Sequence, residues 1–98
     1  MRKMDFNIEA AIELYFSKNE LGNRDIKRIF GCSDSYACAQ KKRVNEAAAK
    51  EDVRPLVFDA NNVNAEYAFK VWGLDIDELV KKYKQLQRFR KMRGEVVA

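Results

Sequence analysis

The sequence predicts an all-α fold of about five helices. Three observations lead there. Apolar residues recur at three- and four-residue spacing through most of the 98-residue chain. Gly22, Gly31, Gly73 and the single proline, Pro55, fall between these patterned segments. Residues able to cap a helix stand at the segment starts. With 47% hydrophobic residues, a chain of this length can bury one core without disulfides or metals, so a single domain over 1–98 is the expectation.

The first helix is expected from Asp5, a candidate N-cap, to about Lys18. Ile8, Ala11, Ile12, Tyr15 and Phe16 form its apolar side. Leu21-Gly22 breaks it, and Asn23 is a candidate cap for a short second helix in which Ile26, Ile29 and Phe30 share a face. Gly31 suits the left-handed position that ends helices. Ser33 is the next N-cap, and nothing interrupts a third helix from there to about Glu51, a stretch rich in alanine and free of Pro and Gly. At about 100° per residue, Ala37, Val44 and Ala48 fall together on its core side, with the stem of Lys41 nearby, so that side is thin and small.

Pro55 excludes a continuous helix in the next segment. Residues 53–63 are expected to be an ordered connector that inserts Leu56 and Phe58 into the core, in preference to a two-stranded wing. Asn64 can cap a fourth helix that ends at Gly73, and Tyr67, Phe69, Val71 and Trp72 make this segment the centre of the core. Asp75 and Glu78 have capping-box spacing. A long last helix runs to about Met92, with a stripe of Ile76, Leu79, Val80, Tyr83 and Leu86 that Phe89 and Met92 continue less neatly. Residues 64–93 thus form a C-terminal helical pair behind the unit 5–52.

Several function classes are disfavoured. Without histidine, acid–base work near neutral pH would need a Glu, Lys or Cys with a displaced pKa, and no paired arrangement stands out, so no catalytic residues are assigned. The glycines are isolated and form no phosphate loop. Two cysteines, Cys32 and Cys38, are too few for a disulfide framework or an ordinary zinc site, and both are expected reduced. No cofactor, metal or small-molecule substrate is expected. The apolar positions of the first segment are broken by Glu9 and Glu13, and no apolar run reaches membrane-spanning length, so the expectation is a cytoplasmic protein without a membrane partner.

The net charge of +4 is unevenly distributed. Residues 1–22 carry −1, 23–52 carry +2, 53–80 carry −3 and 81–98 carry +6. Clustered Lys and Arg attract phosphate backbones. Opposite the core side of the third helix lie Ser35, Ala39, Lys42, Arg43 and Glu46, flanked by Tyr36 and Gln40 on one side and Cys38 on the other. Small residues let a backbone approach a groove, and Gln, Lys and Arg supply donors to base edges and phosphates. Ser33, Ser35 and the free amides at the helix start are suited to a phosphate.

The run NRDIKRIFG, the turn CS and DSYACAQKKRV, preceded by the first helix, resemble the helix-turn-helix superfamily over about residues 5–50. The matching positions are Ile26, Phe30, Gly31, Cys32 and Ala37. Lys27 departs from the pattern where a small residue is usual, and Gln40 where an aliphatic is usual. The remainder is similar in style to small excisionase-like regulators of bacteriophages and mobile elements. The resemblance implies sequence-specific binding of duplex DNA in transcription or recombination. Ser33, Ser35, Tyr36, Gln40, Lys42 and Arg43 then become the DNA-binding candidates, with Arg24, Arg28 and Lys41 holding phosphates.

In the last helix Lys81, Lys84, Arg88 and Lys91 are spaced three, four and three, line one face, and are further phosphate-contact candidates. The alternative reading is a helical protein-interaction or assembly module that pairs through Tyr83, Leu86, Phe89 and Met92. A homodimer through this helix would also present two recognition helices to paired half-sites.

Overall fold

A computed structural model describes residues 6–92. Among the described residues there are five helices, α1 (Ile8–Ser17), α2 (Asn23–Phe30), α3 (Asp34–Glu51), α4 (Ala65–Val71) and α5 (Ile76–Met92), with two short strands, β1 (Glu20–Leu21) and β2 (Val63–Asn64). The mostly helical class follows from the periodicity, and most helix ends follow from local chemistry. Ser33 accepts the amide of Tyr36 and caps α3, and Asn64 accepts the amide of Tyr67 and caps α4. The Asp75 carboxylate accepts the amides of Asp77 and Glu78 at the start of α5. Gly31 ends α2 at φ 59°, ψ 41°.

Two caps differ from expectation. The start of α1 is capped by Asn7, whose side chain accepts from the Ala10 amide; Asp5 lies outside the described residues. The N-cap of α2 is Gly22, not Asn23. Here the Gly22 amide donates to the carboxylate of Asp25, which also receives Lys18 Nζ at 3.0 Å, so a buried acid is satisfied from both sides. The Asn23 side chain turns instead to Cys38 Sγ, 3.2 Å away.

The core contains Leu21, Ile26, Ile29, Val63 and Phe69 as its largest fully buried side chains. Helix α1 packs on α2, α4 and α5, while α3 packs on α2, α4 and β2. Fully buried Ala37 and Ala68 let α3 and α4 come close to their neighbours, as the thin core side of the third helix predicted. An aromatic chain runs alongside. Phe30 meets Trp72 edge-on at 5.1 Å, with Phe6 and Tyr36 on its other sides at 5.9 and 6.4 Å. Tyr67, Val71 and Trp72 are only partly buried, so of the four apolar residues read as the centre Phe69 alone is fully buried. Phe16 is exposed on the rim of α1 and rests edge-on against Tyr15.

The connector is where the structure departs most from the sequence reading. Residues 53–62, the strap, are ordered without helix or strand. Leu56 and Phe58 do not enter the core: they are 61% and 81% exposed, while Pro55 and Val57 face inward and are half-buried. Extended chain alternates its sides, so a one-residue difference in register exchanges the two sets. The register is set by hydrogen bonds at Leu56, whose carbonyl accepts from the Asn19 and Asn64 side-chain amides. Nor is there a wing from Leu56-Val57-Phe58. Instead β2 pairs antiparallel with β1, Leu21 opposite Val63 and Glu20 opposite Asn64.

Candidate nucleic-acid interface

The corner between α2 and α3 is built from Gly31, Cys32 and Ser33. The left-handed Gly31 turns the chain, Cys32 is half-buried with its thiol directed at the Ile26 carbonyl, and burial pushes that thiol's pKa up. Lys27, one of the two residues that depart from the helix-turn-helix pattern, is half-buried and reaches across the corner to Asp34 at 3.2 Å. A long side chain is accommodated there because its ammonium finds a partner at the start of the next helix.

Along α3, Ala37 and Val44 are buried, and Ser35, Ala39, Lys42, Arg43 and Glu46 are all exposed, as the helical spacing predicted. Tyr36 and Gln40 are half-buried on the flank, Tyr36 against Phe30. Lys50 is a residue the sequence reading left out. It is exposed seven residues after Arg43, about two turns along the same side, and that spacing is the signal that identifies it. The outward face therefore presents three cations, Lys42, Arg43 and Lys50, around Glu46, which lies 4.0 Å from Lys42. An exposed i, i+4 pair of that length is weak, so Lys42 can exchange Glu46 for another anion at small cost.

The other candidates divide. Ser33 is at the corner, but its hydroxyl oxygen already accepts the Tyr36 amide at 3.3 Å, leaving its proton as the available donor. The exposed carboxylate of Asp34 shares that helix start, and competes with any phosphate there. Arg24 is exposed at the start of α2. Arg28 lies 3.7 Å from Glu13 on α1. Lys41 is turned away from the outward face: its ammonium donates to the Asn61 carbonyl at 2.8 Å, tying α3 to the strap. A groove lined by Cys38, Lys42 and Asn45 on one side and Ala60 and Asn61 on the other runs beside this link.

On α5, Lys81, Lys84, Arg88 and Lys91 are exposed and occupy an arc of about 80° over a rise of about 15 Å. None has an ion-pair partner among the described residues. The four apolar residues proposed for helix pairing do not form a matching stripe. Tyr83 and Leu86 are half-buried toward the start of α1, whereas Phe89 and Met92 are 52% and 80% exposed. A constant spacing of three drifts by about 60° per step, so Met92 stands about half a turn around the helix from Tyr83.

Among the described residues no helix is long and apolar enough to cross a membrane, and no cluster of three or more His, Cys, Asp or Glu is placed to hold a metal ion. Comparison with protein-family models, with curated proteins and with solved structures returns no match to this chain.

Proposed function

We propose that the chain binds duplex DNA with α3 as the element that enters the major groove. The observation that carries this reading is the division of α3. Its narrow side, Ala37 and Val44, is buried, and the opposite side presents Ser35, Ala39, Lys42 and Arg43, whose side chains make, among the described residues, no hydrogen bond or ion pair beyond the weak Lys42–Glu46 pair. Small side chains at Ser35 and Ala39 allow close approach of the helix, and the guanidinium of Arg43 has the fork geometry that matches the acceptors of guanine. Arg43, Lys42 and Ser35 are the base-reading candidates, with Tyr36 and Gln40 at the groove edge. Arg24 and Lys50 contact phosphates, one at each end of the helix pair, and Ser33 donates to a phosphate beside the corner. Regulation of transcription or recombination in a phage or bacterial setting is the context in which such a small reader acts.

The test is a titration of the full chain with random-sequence and then selected duplexes at two salt concentrations. Binding that weakens steeply between about 50 and 200 mM salt and improves on selection supports the reading. Absence of duplex binding at the lower salt removes it.

A further inference from the structure

The strap is held from four directions. Glu20 accepts the amides of Phe58 and Asp59 and the side-chain amide of Asn62. Asn19 and Asn64 both donate to the Leu56 carbonyl, and Lys41 donates to the Asn61 carbonyl. A backbone tied this firmly holds Leu56 and Phe58 out in water, 61% and 81% exposed. Exposed acids, Glu51, Asp52 and Asp59, flank them in the chain, and residues 51–62 carry −2 with Arg54 as the one cation.

The end of α5 has the complementary composition. Phe89 and Met92 are exposed there, and residues 87–92 hold three cations, Arg88, Arg90 and Lys91, and no acid. The two surfaces lie at opposite ends of α1. Tyr15, near the C-terminal end of α1, shares a crevice with Ile76 at the start of α5, and Ile8 shares one with Leu86, so the helices run antiparallel. The tip of α5 therefore projects past the start of α1, while the strap is fastened just after its other end, at Asn19 and Glu20. One copy cannot bring its own tip to its own strap.

We infer that the strap of one copy receives the α5 tip of a second copy, with Leu56 and Phe58 packing on Phe89 and Met92, so that the chain associates head to tail. Charge selects this pairing. Tip against tip sets three cations against three, strap against strap sets acid against acid, and only strap against tip joins opposite signs. Two apolar side chains on each side make a small interface, in the weak class below about 1,200 Å², so association is concentration-dependent and weakens with salt. Different surfaces of the two copies meet, so the contact is open to growth. This inference does not depend on DNA binding.

Sedimentation of the full chain at rising concentration in low and moderate salt tests it, with Phe58→Asp and Met92→Asp, both at exposed positions, as variants whose helicity is checked by circular dichroism. The average mass of the unaltered chain should rise with concentration at low salt and fall back with added salt, and each variant alone should stay monomeric. Mixing the two variants should restore one interface, from the intact tip of the first and the intact strap of the second, and give about a two-fold mass that does not grow further. A Phe58→Asp chain that still self-associates would mean tip-to-tip pairing and overturns the inference. So does a mixture that remains monomeric, or an unaltered chain that is monomeric at about 1 mM in low salt.

Discussion

The carboxylate of Glu20 accepts the backbone amide of Phe58 at 2.6 Å, joining positions 38 residues apart. Through this bond a residue of β1 determines the path of the strap. The Phe58 amide, followed by the side-chain amide of Asn62, then the Asp59 amide and the charge of Lys18, holds the Glu20 carboxyl below its ordinary value of 4.5. Because the folded value is the lower one, the ionised carboxylate stabilises the folded strap at pH above the ordinary value. That contribution disappears as pH falls through the folded value. Amide-exchange protection at Phe58 and Asp59 should therefore be lost on acidification before global unfolding, and Glu20→Gln should show the same loss at neutral pH. Equal protection in the variant and the unaltered chain at neutral pH would contradict the anchoring role.

In the proposed DNA complex, Arg43 and Lys50 would make two different kinds of contact. Arg43→Ala should cost about 1–3 kcal/mol of binding and relax preference at one base position. Lys50→Ala should weaken binding to all duplexes alike and lower the salt slope by about 1. Competition titrations against selected and random duplexes distinguish the two patterns, and an Arg43→Ala chain with undiminished selectivity removes Arg43 from the reading set.

The close approach of α3 rests on Ala37, which is fully buried. Ala37→Leu should destabilise the protein by about 1–3 kcal/mol through overpacking. For a domain of this size that is a fall of roughly 5–20 °C in Tm, readable by calorimetry. An unchanged Tm would mean that α3 has room to move away from α2.

Asp52 ends α3 in the left-handed conformation at φ 56°, ψ 43°, where glycine is favoured. Asp52→Gly should raise stability by about 0.5–1 kcal/mol, less what the unfolded chain gains in freedom. A thermal melt beside that of Asp52→Ala, which keeps the strain and should gain nothing, isolates the backbone effect.

The thiols should react at different rates. Cys38 is exposed, whereas the half-buried Cys32 has its pKa raised by burial and is less often the reactive thiolate. A thiol reagent near pH 8 should label in two phases, and Cys38→Ser should remove the fast one.

Helix limits were legible in the sequence wherever the deciding bond is local. Ser33, Asn64 and Asp75 each reach an amide two or three residues on, and Gly31 needs only its own backbone freedom. The outward face of α3 was legible too, since the turn per residue fixes which side chains oppose Ala37 and Val44. Lys41 was not, because its partner carbonyl at Asn61 is brought to it only by the fold.

The strap marks the boundary between the two kinds of information. An alternating segment has two sides, and nothing within VRPLVFDANN selects which is buried. Asn19, Glu20 and Asn64 make that selection from elsewhere in the chain, placing Pro55 and Val57 inside and Leu56 and Phe58 outside. At the start of α2 the two kinds meet: the Asp25 carboxylate, three residues on, takes the Gly22 amide, while the Asn23 side chain finds its partner in Cys38, which only the fold brings near. Capping and periodicity act over one turn and are written in adjacent residues, whereas the choice of buried side depends on partners that only the folded chain brings within hydrogen-bonding distance.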